Sequence, residues 1–175
     1  MIGIPHQCTS GSGIIYSLNQ WTMNNEPWTM TAVFLGRFQP FHIGHLSIVE
    51  KILESYPSMM LIIGSSEKSW TEENPWTYQK RLSIIVENLP EELLPRVTLY
   101  PLADVPDDNV WCENLKKIIP HNSILFTGNP WVRDICTRHD IQTDWIDSYT
   151  IAISGTKIRE MIRKGEDVGQ WTVIK

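Results

Sequence analysis

Short apolar runs alternating with amphipathic segments constrain this chain more than any other feature. "TAVFLG" (31–36), "MMLIIGS" (59–65), "RVTLYPL" (96–102) and "SILFTG" (123–128) read as strands, with "QTDWID" (142–147) as a fifth. Between them lie helical patterns. Leu46, Val49, Ile52 and Leu53 share one face of "HLSIVEKILESY", and Leu82, Ile85, Val86 and Leu89 share another, stopped by Pro90. "NVWCENLKKIIP" is a short amphipathic helix ended by Pro120. Asn74-Pro75 and Asn129-Pro130 each read as a helix start, with Asn as cap and Pro in the first turn. "SGTKIREMIRKG" has Ser154 as cap, Ile158, Met161 and Ile162 on one face, and Gly165 as stop. Strand–helix alternation implies an α/β fold: a Rossmann-like, doubly wound parallel sheet of about five strands in a single domain, covered on both faces. Ligands in such sheets bind beyond the carboxyl ends of the strands, where the strand order reverses.

The expected domain is 30–175. Residues 1–29 are rich in Ser, Gly, Asn and Gln without a period and read as a flexible N-terminal extension, with Met23 and Met30 as alternative starts. A net charge of -5 argues against a general nucleic-acid binder but leaves room for a locally positive site. Cys8, Cys112 and Cys136 are scattered, with no Cys-x-x-Cys pair, which fits a reducing cytoplasm and gives no zinc ribbon or redox motif. No apolar run approaches the ~20 residues of a membrane helix, and no signal peptide is read at the start.

Two motifs carry chemistry. In "FLGRFQPFHIGH" (34–45), Gly36 ends the first strand and His42 and His45 enter the following helix. Free backbone N–H groups and the positive end of the helix dipole make such a place an anion site. Gly44 lets a phosphate approach, and imidazoles three apart project from one side of the first turn. A zinc site would need a third and fourth ligand, and His6, His121 and His139 fall outside any shared pattern. In "ISGTKIREMI" (153–162), Ser154, Gly155 and Thr156 open a helix, and Arg159 lies one turn in, within reach of phosphate oxygens. Alone, that segment would read as a capped helix with a solvated arginine. A second phosphate motif at the same sheet edge favours binding.

"FLGRFQPFHIGH", "TGNPWV" (127–132) and "ISGTKIRE" (153–160) together resemble the nucleotidylyltransferase superfamily, and "GRFQPFH" is similar to the archaeal-type nicotinamide mononucleotide (NMN) adenylyltransferases. The similarity covers about residues 31–171. It implies adenylyl transfer from ATP to NMN, giving NAD and pyrophosphate without a covalent intermediate. It implies His42, His45 and Arg159 as the catalytic residues, and Gly36, Arg37, Phe38, Gly44, Gly128, Asn129, Ser154, Gly155 and Thr156 around ATP. Mg²⁺ would come with the triphosphate, without protein metal ligands, and a homo-oligomer is implied. In "ADVPDDNVW", the resemblance implies Asp104, then Asp108 or Asn109, then Trp111 as the acceptor segment, with Trp111 stacked on the nicotinamide ring. The other reading is a capped helix with a core Trp. Adenylyltransferases for nicotinate mononucleotide, phosphopantetheine or FMN, and cytidylyltransferases, share the phosphate machinery. A nucleotide-binding regulator with little turnover is a further alternative. There are two departures from the pattern. Glu73 stands where relatives commonly carry a basic residue, and relatives usually continue past the position of Trp171 into another helix, whereas this sequence closes at Lys175.

Overall fold

The computed structural model describes residues 30–146 and 153–174. The expected 1–29 extension therefore lies outside the described residues. Five parallel strands form one sheet: β1 (Thr31–Gly36), β2 (Met59–Ile63), β3 (Val97–Pro101), β4 (Ser123–Thr127) and β5 (Thr143–Trp145). Their spatial order is β3-β2-β1-β4-β5, so the order reverses between β1 and β4. The helices are α1 (Ile43–Ser55), α2 (Tyr78–Asn88), α3 (Asp108–Ile118), α4 (Pro130–Arg138) and α5 (Gly155–Arg163).

Side-chain alternation along the strands explains why the sheet is covered on both faces. Ala32 and Phe34 of β1, with Met59, Leu61 and Ile63 of β2, pack against Val49, Ile52 and Leu53 of α1 and Leu82, Ile84 and Ile85 of α2. Val33 and Leu35, with Met60 and Ile62, face the opposite way, against Trp111 and Leu115 of α3 and Val132 and Ile135 of α4. Register keeps each layer intact, with Val33 beside Met60 and Leu35 beside Ile62.

Two sequence-based caps hold. Asn129 accepts from the Trp131 N–H, and Ser154 accepts from the Lys157 N–H. Gly165, with φ 72°, follows α5 in the left-handed region that glycine tolerates. The Asn74-Pro75 start does not hold. α2 begins at Tyr78 with Thr77 as its cap, whose hydroxyl accepts from the Lys80 N–H. Residues 74–76 instead belong to a strap tied to the β1–α1 loop: the Gln39 amide donates to the Trp76 carbonyl, and the Trp76 N–H donates back. α3 takes in Asp108, with Asp107 as its cap. The expected apolar faces of α2 and α5 are narrower than the pattern suggested, because Val86 and Ile162 are exposed. Among the described residues no helix is long and apolar enough to cross a membrane.

Candidate active site

The loops after β1 and β4 flank the point where strand order reverses. The β1–α1 loop turns sharply at Phe38, which has φ 49°. The Phe38 ring folds back under Gly36, where an added Cβ would lie 2.8 Å from it, so a side chain at 36 would collide with the core. Phe38 is 1% exposed. Its side chain, expected at ATP, is packed in the core.

His42 caps α1, and its ring stacks on His45 with centroids 3.7 Å apart. His45 is walled by Phe34, Phe38 and Phe41. Burial lowers the His42 pKa to about 4. It lowers that of His45 well below the usual value, and the neighbouring His42 adds to the effect. At neutral pH both rings are uncharged, each able to donate one hydrogen bond and accept another. The Nδ1 atoms of both are buried without a hydrogen-bond partner among the described residues.

The α1 terminus offers fewer donors than the sequence implies. The Ile43 N–H donates to the Trp171 carbonyl, and the His45 N–H turns back to the His42 carbonyl. Gly44 is the first-turn N–H that remains without a partner among the described residues. A Cβ on Gly44 would sit 3.1 Å from the His42 ring and 3.5 Å from Ile153, so the glycine permits α1, its histidine cap and the segment before α5 to meet.

The second motif reaches the same turn. Arg159 Nη1 donates to the Gln39 carbonyl at 2.7 Å, and Nη2 donates to Thr156 Oγ1. An added Cβ on Gly155 would lie 2.7 Å from the Gln39 oxygen. The histidine and arginine motifs, 120 residues apart at the Gln39–Arg159 contact, thus share one backbone carbonyl. The Arg159 pKa is lowered, first by burial and then by the Arg37 charge, with Glu73 and Glu72 opposing. Arg37 pairs with Glu73 at 3.7 Å, and Arg163 pairs with Glu72. Glu73, in place of a basic residue, therefore sets a carboxylate against the rim's cations. Gly128 and Asn129 follow β4, both exposed, with the Asn129 side chain used as the α4 cap.

The acceptor segment divides. Asp104 accepts from Ser65 Oγ at 2.8 Å and from Lys68 Nζ at 2.6 Å. Burial would raise its pKa, but the hydrogen bonds from Lys68 and Ser65 outweigh that and hold it below the ordinary value. Asp108 pairs with Arg138 at 3.6 Å, and Asn109 is hydrogen-bonded to His139. Trp111 is 3% exposed within the α3–α4 core. Of its two sequence readings, packing shows the core one, and the more exposed Trp131 ring lies 5.2 Å from it. Sequence reasoning missed three residues of this neighbourhood. These are Gln39, which joins the two motifs, Ser65, which holds Asp104, and Arg81, whose guanidinium binds carbonyls at the ends of β1 and β2.

Neutral imidazoles, guanidinium and helix-start N–H groups suit anionic phosphate oxygens. Among the described residues no three His, Cys, Asp or Glu side chains group so as to hold a metal ion.

What the fold and this rim define is a cytidylyltransferase-like domain, and the family model of that description matches residues 33–161. Nicotinamide-nucleotide adenylyltransferase of Thermoplasma volcanium is 36% identical over 137 residues, 78% of this chain and 77% of that protein. Nicotinamide-nucleotide adenylyltransferase 1 of Sulfolobus acidocaldarius is 31% identical over 140 residues, 78% and 80% of the two chains. The chain belongs to the cytidylyltransferase-like family, as one of its nicotinamide-nucleotide adenylyltransferases. In fold it is similar to the crystal structure of a bifunctional NMN adenylyltransferase/ADP ribose pyrophosphatase from Francisella tularensis. The TM-score is 0.67 at 24% identity, covering 82% of this chain and 44% of that one. A second structure of that protein, complexed with AMP and a Mn ion, gives 0.64 at 23% identity with the same coverage. This chain spans less than half the length of that solved protein.

Proposed function

We propose that this chain transfers the adenylyl group of ATP to NMN, giving NAD and pyrophosphate. The observation that carries the reading is the meeting of Arg159 and Gly155 with the His42–His45 turn at the Gln39 carbonyl. An oxygen of the NMN phosphate attacks the α-phosphorus of ATP in line. The new P–O bond forms as the bond to the bridging α–β oxygen breaks, and pyrophosphate leaves with that electron pair. Catalysis of this kind rests on positioning and on stabilising the charge that develops.

In this reading His45 and His42, as neutral donors, steady the α-phosphoryl oxygens, and Arg159 and Arg37 hold the β and γ oxygens. Gly44 and Gly155 supply approach and N–H groups. The hydroxyls of Ser154 and Thr156 already accept hydrogen bonds and keep their protons to donate. Gly36, Gly128 and Asn129 line the nucleotide from the ends of β1 and β4. Asp104 and Asp108 or Asn109 read the acceptor from α3's side, with Trp111 as the wall behind. A divalent ion, Mg²⁺ in this proposal, arrives with the triphosphate as part of the substrate. Cytoplasmic residence is supported by the free, buried thiols of Cys112 and Cys136. Oligomerisation, which the resemblance implies, is read by light scattering.

A pyrophosphate-release panel tests the activity, with ATP and, in turn, NMN, nicotinate mononucleotide, phosphopantetheine and FMN. Release with NMN and none with ATP alone is expected. Preferential release with another acceptor overturns the substrate. The second reading, a nucleotide-binding regulator, is favoured by the Arg37–Glu73 pairing and predicts ATP binding with no release for any acceptor.

A further inference from the structure

Arg81 lies in the first turn of α2 and is 0% exposed, the largest fully buried side chain among the described residues. Among the described residues no buried carboxylate pairs with it, though the Glu67 and Asp104 carboxylates favour its charge through space. Its hydrogen bonds go to backbone carbonyls: Nη1 to Arg37 at 2.9 Å and Gly64 at 2.8 Å, Nη2 to Ser65 at 2.9 Å. Its Nε has no hydrogen-bond partner among the described residues. Burying a cation is costly unless its bonds are worth the desolvation. A hydrophobic side chain of similar volume would fill the space, so packing alone does not explain an arginine here.

The three carbonyls explain it. Arg37 belongs to the loop after β1, and Gly64 and Ser65 to the loop after β2. The residue after Arg37 is Phe38, at φ 49°, and Ser65 itself is at φ 48°. Left-handed backbone is unfavourable for a non-glycine residue and persists where surrounding bonds determine it. One planar guanidinium thus fixes both left-handed turns. A lysine's single nitrogen lacks the fork to span the three oxygens in the same way. From Ser65 the chain of contacts continues: its hydroxyl donates to Asp104 Oδ2 at 2.8 Å.

We infer that Arg81 is a positioning residue that sets the spacing between the triphosphate rim, through the Arg37 backbone, and the acceptor pocket, through Ser65 and Asp104. The inference rests on the site assignment proposed above. Arg81 touches neither substrate. Its effect is on where Arg37 and Asp104 stand when both nucleotides are bound, and in-line transfer is sensitive to that spacing. A displacement of about 1 Å costs on the order of a hundredfold in rate.

The test uses the full chain with Arg81→Lys, Arg81→Met, Ser65→Ala and Asp104→Ala, measuring kcat, both KM values and melting temperature. Arg81→Met is expected to lower kcat/KM about a hundredfold with both KM values raised. Arg81→Lys is expected to recover part of that loss. Ser65→Ala and Arg81→Lys are expected to be less than additive on the acceptor KM, because they act through one contact. If Arg81→Met does not fold, the Arg81→Lys and Ser65→Ala pair carries the test. Full additivity, or a lower melting temperature with kcat and both KM values unchanged, would overturn the inference. Asp104→Ala separates the two levels: an unchanged acceptor KM there would refute the site assignment, whereas a raised one beside normal Arg81→Lys kinetics would refute the role of Arg81 alone.

Discussion

Replacing His42 with asparagine should flatten the acid side of the stability curve. In the folded chain His42 is 5% exposed, and burial holds its pKa at about 4 against an ordinary 6.5. A depressed histidine pKa means that the unfolded chain binds the proton more tightly. The stabilisation is therefore fully present above pH 6.5 and is lost as the pH falls through that value toward 4. Each pH unit of the gap is worth about 1.4 kcal/mol, so His42 alone accounts for about 3 kcal/mol across this window. His45 moves the same way and remains in both proteins. Asparagine is a suitable substitute because it is a good helix cap and does not titrate. Urea midpoints converted to unfolding free energies at half-unit steps from pH 7 to pH 4 provide the assay. Wild type should lose about 3 kcal/mol more than His42→Asn over that range. Parallel curves would refute the claim that His42 is buried neutral. The same linkage predicts that ATP binding, because phosphates favour imidazolium, is accompanied by proton uptake when the pH lies just above the folded His42 pKa of about 4.

Three further outcomes follow from the geometry. Trp111→Ala should destabilise the chain by about 3–5 kcal/mol in chemical denaturation, since its ring belongs to the α3–α4 core; a normal midpoint with only a raised acceptor KM would restore the stacking role. Gly155→Ala places a Cβ 2.7 Å from the Gln39 oxygen and should push α5 from the turn, raising the KM for ATP more than it lowers the melting temperature; unchanged kinetics would show that the close approach is incidental. Glu73→Gln releases Arg37 from an exposed pair and should lower the KM for ATP about two- to fivefold, the scale of a surface ion pair, with the effect fading at high salt.

The fold was largely legible because its signals are local. Strand runs bounded by Gly, helices with apolar spacing, and the caps Asn129 and Ser154 are properties of contiguous residues. What the sequence hid depends on partners far along the chain. Asn74-Pro75 has the local chemistry of a helix start, yet Gln39 captures the strap and the helix waits for Thr77. Arg81 would pass for a solvated charge on a helix, because the three carbonyls that justify its burial come from two other loops. The Ile43 N–H reads as free until Trp171 is folded against it. The histidine and arginine motifs were recognisable by residue type. Their junction at Gln39 was not, because it rests on one main-chain oxygen and glycines that leave it room.

The central claim is that the two imidazoles and Arg159 form one phosphate-gripping rim, and its most direct test is a titration with Mg²⁺-ATP followed by ¹⁵N NMR of the His42 and His45 rings and the Arg159 guanidinium. All three sets of resonances should move together along one saturating curve, with the ring nitrogens shifting toward hydrogen-bonded values. Saturation of binding with these signals unmoved would contradict the account.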